Sequence, residues 1–429
     1  MVHGLNRLAR RIGKEERTNT EPWFWGYLFQ GAVILGVAPM LIPVIVGRAE
    51  SAADVGLVVG AFYLGQVFSP LVGRIADATR WFAGFFLAGF VLIGAGCAGF
   101  FVFESTGGWL VSALLQGAGA GMTNTTAFSF IVEFRPKAQW DGHLGWLQTF
   151  YGTGQAVGLL LAAALQAEAG IGMLLCAVLM VPGLILARRG LPETRGGTRR
   201  GAKVHHDRPG MGSAVSPASV VRHYEHFSVA GFLGGLRRVF DRYALWIGSW
   251  FLLMVGTWLV MNFIPLLFEA NYRISAGLSS LYYGIAAGVG IFLYAPSGSL
   301  ADRIGSARVV FLGALGLLVS NGALFVLVPV PGLWQAILVP LAFSLLPIAW
   351  SPLIVAGSAL AGQLARFSQG AAMGIFNAAM AVASVVAAVV GGWIADRYGY
   401  PAVVLVATVA AAAGILLLVP LLARRDGES

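Results

Sequence analysis

The sequence predicts an all-α integral membrane protein: twelve transmembrane helices in two six-helix bundles, with the N- and C-termini cytoplasmic. Three observations carry this. The first is composition. Of 429 residues, 58% are hydrophobic and 11% charged, whereas a soluble globular chain is about 25% charged. The second is segment length. Twelve apolar segments of about 20 residues recur, each enough to cross about 30 Å of hydrocarbon. The third is charge placement. Of the 28 Lys and Arg, only Arg48, Arg273 and Arg397 fall in loops on one side, and the rest lie in the loops and tails of the other. The positive-inside rule makes that basic side cytoplasmic. The net charge of +9 is therefore a topology signal and gives no reason to expect nucleic acid as a partner.

The elements follow in order. Residues 5–17 are basic and read as a short amphipathic helix on the inner leaflet. A cleavable signal is disfavoured, because the apolar run from Trp23 is span-length and has no small-residue cleavage site at its end. The predicted spans are 22–47, 53–75, 81–103, 109–133, 142–167 and 171–188, then 243–268, 277–299, 307–329, 333–358, 370–394 and 401–422. Cys97 and Cys176 each lie inside a span and read as small packing residues. The chain thus divides into an N-terminal bundle (1–188), a cytoplasmic linker (189–242) and a C-terminal bundle (243–429). The linker holds Gly-Gly-Thr-Arg-Arg-Gly at 196–201, and its later part, 219–240, spaces apolar residues as an amphipathic surface helix does. His223 and His226 share a face there, but no Cys or carboxylate completes a metal site. No cofactor is expected.

A repeated motif relates the two halves. Gly73-Arg-Ile-Ala-Asp77 closes helix 2, and Gly298-Ser-Leu-Ala-Asp302-Arg303-Ile-Gly305 closes helix 8. A third copy, Gly392-Trp-Ile-Ala-Asp396-Arg397-Tyr-Gly399, closes helix 11. It lies three helices after the second, so an odd number of crossings separates them. That is an inverted-topology repeat, as alternating-access carriers have. Twelve helices, a long central loop and Gly-x-x-x-Asp-Arg-x-Gly between helices 2–3 and 8–9 resemble the major facilitator superfamily over essentially the whole chain. The first copy departs from the family pattern, with Ala78 at a basic position and Arg80 where Gly is usual.

The resemblance implies a transporter without enzymatic activity. It implies a gate at the inner face made of Gly73, Arg74, Asp77, Arg80 and Glu133 in the first half, and Gly298, Asp302, Arg303 and Gly305 in the second. In the family the motif Asp meets the start of a neighbouring helix, so Asp77 would meet helix 11. The family's Arg-x-x-Gln-Gly on helix 4 lacks its Arg here, where Ala113 precedes Gln116-Gly117, which disfavours fixed-anion recognition. Gly145, Gly154 and Gly158 on helix 5 match the spacing of an exporter signature, although Leu159 stands at its Pro position.

The candidate solute site is neutral and aromatic. Helices 1 and 2 offer Tyr27, Gln30, Tyr63 and Gln66. Helices 4 and 5 offer Asn124, Tyr151 and Gln155. In the second half stand Trp258 and Asn262 on one face of helix 7, Tyr282 and Tyr283 on helix 8, Trp350 on helix 10 and Asn377 on helix 11. A buried amide needs a partner, either a neighbouring helix or a ligand. All acidic residues fall in loops, tails or helix ends, so no mid-membrane carboxylate is at hand to carry a proton. The expected activity is secondary or facilitative transport by a monomer in the inner (plasma) membrane, with export of a neutral, lipophilic or amphipathic small molecule as first choice and uptake of a small organic solute as runner-up. From other classes, an integral-membrane enzyme lacks paired carboxylates or a His/Ser constellation, and a transport-dead sensor lacks a signalling domain in its central loop.

Overall fold

A computed structural model describes residues 20–67, 69–135, 140–191, 242–330, 332–365 and 369–422. The basic segment 5–17 and the predicted surface helix at 219–240 lie outside the described residues, as do the side chains of Arg74, Asp77 and Glu133. Every regular element among the described residues is a helix. Nine of these helices are long and apolar enough to cross a membrane, or ten if Ile264–Tyr272 and Ala276–Ile291 together form one broken span. That pair turns by 119° around Arg273, which sits in the left-handed region at φ 56°.

The first predicted span is α1 (Phe24–Gly31), a π-helical segment (Ala32–Val37) and α2 (Ala38–Ala49). The π segment ends just before Pro39, which has no N–H to donate to an α-helical ladder, so the ladder resets there. Next come α3 (Ala52–Val67) and α4 (Ser69–Thr79), within which Ala52–Gly73 counts as one span. Then follow α5 (Phe82–Val102), α6 (Thr106–Phe134), α7 (Trp140–Leu165) and α8 (Ala169–Arg188). The second half runs α9 (Arg242–Met261), α10 (Ile264–Tyr272), α11 (Ala276–Ile291), α12 (Tyr294–Ile304), α13 (Ser306–Leu327), α14 (Leu333–Leu364), α15 (Gln369–Tyr398) and α16 (Tyr400–Leu422). Breaks fall before Pro265 and Pro296, as the absent N–H of proline demands, while α14 carries Pro340, Pro347 and Pro352 without a break. Helices α6 and α7 have span length but carry Gly, Thr, Asn and Gln through their middles, which lowers their hydropathy.

Close packing rests on small residues and interhelical hydrogen bonds, since lipid chains give apolar faces no reason to prefer protein. A Cβ on Gly154 or Gly158 would collide with the backbone oxygens of Leu28 and Ala32, so α7 lies backbone to backbone against the first span. In the second half Ser249 donates to the Gly414 carbonyl at 2.7 Å and Asn321 to that of Gly256 at 3.2 Å.

Two seams join the halves. Helix α3 packs on α15, and α7 packs on α11. Both seams are tightest at the end holding Arg48 and Asp396. A Cβ on Gly392 would lie 2.6 Å from the Ala52 oxygen and 2.8 Å from Gly56 Cα. On the other seam Gln166 donates to Ser280 Oγ at 3.0 Å, and Arg48 clamps the Gln166 carbonyl at 3.1 Å. At the opposite end α4 packs mainly on α6 and α5, and α12 mainly on α14 and α13. Among the described residues the main contacts of each are therefore within its own half. Among the described residues the bundle is shut at the Arg48 end and spread at the end where α4 and α12 terminate. The motif copies at Asp77 and Asp302 therefore lie at one end of the bundle, and the copy at Asp396 lies at the other.

Candidate functional site

Between the shut end and the spread end, the neutral polar residues meet in three groups. In the first, Asn124 Oδ1 on α6 accepts from the Tyr27 hydroxyl at 2.8 Å and from Gln30 Nε2 at 2.7 Å. Tyr27 also stacks on Tyr151 of α7, with centroids 4.7 Å apart and planes at 24°. The second group bridges the halves. The Tyr63 hydroxyl donates to Asn262 Oδ1 at 2.9 Å. The Tyr63 ring meets Trp258 edge-on at 5.4 Å, and Trp258 meets Trp350 at 6.1 Å. The third bridges the other seam, where Gln155 donates to the Tyr283 hydroxyl at 3.2 Å.

Local structure explains the placement. Asn262 stands at the break between α9 and α10, four residues after Trp258, and its N–H still bonds the Trp258 carbonyl. The pair therefore shares one face. Among the described residues, three buried polar atoms here have no hydrogen-bond partner: Gln30 Oε1, Asn262 Nδ2 and Trp258 Nε1. The region thus offers aromatic faces, two unpaired donors and one unpaired acceptor, with no charged side chain in any of the three groups.

The structure brings together Tyr27, Gln30, Asn124 and Tyr151, then Tyr63, Trp258, Asn262 and Trp350, then Gln155 and Tyr283. Gln66 packs its Cα 3.3 Å from where a Cβ on Gly121 would sit. Tyr282 is half-buried beside the core, and Asn377 is exposed on α15. Neither makes a described polar contact with the three groups. Gln116 donates to Cys97 Sγ at 3.0 Å and is wholly buried, so it faces α5. Gly154 and Gly158 are contact surfaces for the first span, while a Cβ on Gly145 would meet nothing.

The gate residues sit where α4 and α12 end. Asp302 and Arg303 are exposed and make no ion pair among the described residues. The eighth motif position has positive φ in all three copies: Arg80 at 54°, Gly305 at 91° and Gly399 at 79°. Glycine takes that region freely, so Arg80 holds a conformation that its side chain opposes.

A cluster that sequence reading missed lies near the same end. Glu21 is 8% exposed. Its carboxylate accepts from Trp23 Nε1 at 2.8 Å and from Arg135 Nε at 2.9 Å, and His143 Nε2 stands 3.5 Å away. Its signal was the run Glu21-Pro22-Trp23 at the start of a span. A carboxylate at a helix end is ordinarily solvated, and only the packing of α6 and α7 around it makes it buried.

Comparison with known proteins follows the geometry. A sequence profile described as Major Facilitator Superfamily matches residues 23–367 and 296–429. No curated protein sequence matches. Among solved structures, nucleoside transporter NupG (D323A mutant) superposes with a TM-score of 0.69 at 11% identity, covering 93% of this chain and 97% of that one. A D-xylose-proton symporter gives 0.67 at 15%, covering 95% and 98%. An auto inhibited POT family peptide transporter gives 0.68 at 17%, covering 95% and 97%. At these identities the structures share the fold. The profile covers nearly the whole chain, and the chain belongs to the major facilitator superfamily of integral-membrane secondary transporters.

Proposed function

We propose that this chain carries a neutral, amphipathic small molecule across the membrane by alternating access, with export as the direction. Twelve spans form two six-helix halves, 1–188 and 243–429, and both termini face the cytoplasm. The membrane is the inner (plasma) membrane, and the working unit is a monomer. The observation that carries the reading is the pair of cross-half hydrogen bonds, Tyr63 to Asn262 and Gln155 to Tyr283, set among aromatic rings between the halves. A solute held there touches both halves, so its binding depends on how they are tilted.

Charge chemistry narrows the solute. Without a guanidinium, ammonium or carboxylate in the three groups, a fixed ion finds no partner there, and burying it would cost several kcal/mol. A flat apolar body stacks on Tyr27, Tyr151 or Trp258. A carbonyl or ether oxygen accepts from Asn262 Nδ2 or Trp258 Nε1. Under this orientation the spread end faces the cytoplasm. Closing it would bring the motif carboxylates Asp77 and Asp302 to neighbouring helix ends, each contact contributing about 0.3–2 kcal/mol to the closed state.

The test is a solute screen in proteoliposomes with imposed proton and sodium gradients. Neutral amphipathic solutes should move, and anions and cations of similar size should not. Saturable transport of charged solutes alone would overturn the assignment. Cysteine labelling at Asp302 and Asp396 in oriented membranes tests the topology, with Asp302 expected to react from the cytoplasm and Asp396 from outside.

A further inference from the structure

A groove of about 530 Å³ opens on the outer surface of the N-terminal half, where α5 and α8 separate. It is lined by Ala83, Gly84, Leu87, Ala88, Val91 and Leu184 together with Trp81 and Arg188, and the Trp81 indole lies over Gly84. Val91, Val181 and Ile185 on the same surface are each more than half exposed, as side chains facing lipid are.

Three features identify an occupant. The first is length. Trp81 to Val91 is ten residues, about 15 Å of helix, which is half of the roughly 30 Å hydrocarbon layer. The groove therefore runs the depth of one leaflet. The second is polarity. Its lining is apolar apart from Arg188, and Trp81, half-exposed at the start of α5, is the residue type that sits at headgroup level. The third is charge. Arg188 lines the groove and Arg189 follows it at the end of α8. Both are exposed, and neither makes an ion pair among the described residues. An apolar slot one leaflet deep, bordered by an indole and Arg188 with Arg189 next in the chain, matches an acyl chain joined to a phosphate.

We infer that the α5–α8 groove is a binding site for one anionic phospholipid, its chain along Leu87, Ala88 and Val91 and its phosphate on Arg188 and Arg189. The site does not depend on the solute assignment, since none of its residues belongs to the three central groups. In the orientation proposed above it opens to the cytoplasmic leaflet, which is the leaflet that carries anionic lipid.

The experiment is native mass spectrometry of the full chain in detergent with dioleoylphosphatidylglycerol or dioleoylphosphatidylcholine added at equal concentration. The wild type should retain the glycerol lipid over the choline lipid, by about fivefold for each arginine engaged. Arg188→Gln with Arg189→Gln should abolish that preference while elution and helical content stay unchanged, since both are surface substitutions. Ala88→Phe, which fills the slot and leaves the arginines, should reduce retention of both lipids. Equal retention of the two lipids by the wild type would overturn the proposal, as would a preference that survives the double arginine variant. If Ala88→Phe were misfolded, the arginine variant would decide alone.

Discussion

At Asn262 one amide has two tasks. Its oxygen accepts from Tyr63 across the seam between the halves, and its Nδ2 is buried without an acceptor among the described residues. Asn262→Leu removes both functions. The half-saturation concentration for a carried solute should rise about fivefold, the equivalent of one neutral hydrogen bond of about 1 kcal/mol. Gln116→Leu, on the face of α6 that meets Cys97, should leave it unchanged. Transport kinetics in proteoliposomes check both, and equal effects would remove Asn262 from the site. Glu21 makes a separate claim. Glu21→Gln keeps an acceptor for Trp23 but removes the carboxylate charge that faces Arg135 Nε. A loss of about 1–3 kcal/mol of stability is expected, read as a lower thermal midpoint in detergent, and an unchanged midpoint would make the cluster incidental. The amides and aromatic rings were legible in the sequence because uncharged polar groups inside long apolar runs are conspicuous. Glu21 was not, because burial of a residue at a helix end is decided by helices far away in the chain.

Among the elements, α7 shows what its glycines do. Gly154 and Gly158 matched an exporter signature by spacing, yet each meets the backbone of the first span. Spacing could not separate the two roles, because a signature glycine and a packing glycine obey the same helical period. Gly158→Leu should abolish recovery of monodisperse protein, since its Cβ would collide with the Ala32 backbone, which has no rotamer to move. Gly145→Leu should be tolerated. Size-exclusion profiles of the two variants test this, and similar behaviour would contradict the contact. The motif turns carry a further prediction. Arg80 holds at φ 54° a turn that glycine makes in the other two copies. A side chain in the left-handed region costs about 1–2 kcal/mol, part of which glycine returns through its freer unfolded chain. Arg80→Gly should therefore raise thermal stability by roughly 0.5–1 kcal/mol, and a lower midpoint would show that the Arg80 contacts outweigh the strain. The breaks before Pro265 and Pro296 were not legible, since the predicted spans 243–268 and 277–299 run through them and Pro340, Pro347 and Pro352 stand in α14 without a break. Nor was the π segment at Ala32–Val37, because several ladder adjustments satisfy a proline equally well.

On the scale of the whole molecule, the repeat was the most informative feature of the sequence. Three copies of one motif predicted two on one side and one on the other, and the packing places Asp77 and Asp302 at the end of the bundle opposite Asp396. Which end is open was not legible, since both tilts of the halves use the same helices and the same apolar faces. The structure is shut where Gly56 meets Gly392 and spread where α4 and α12 end. If the halves rock about the central groups, the two ends are coupled, and preventing closure at one end must favour closure at the other. Gly392→Leu tests this without any solute, because its side chain would press on the Ala52 and Gly56 backbone. Spin labels at Glu50 and Tyr398 report the shut end, and labels at Leu71 and Ile375 report the spread end, in a chain with Cys97→Ala and Cys176→Ala. The account predicts that Gly392→Leu lengthens the Glu50–Tyr398 distance and shortens the Leu71–Ile375 distance in the same sample. A longer Glu50–Tyr398 distance with Leu71–Ile375 unchanged would contradict it, because the two ends would then move independently and the halves would not rock as one.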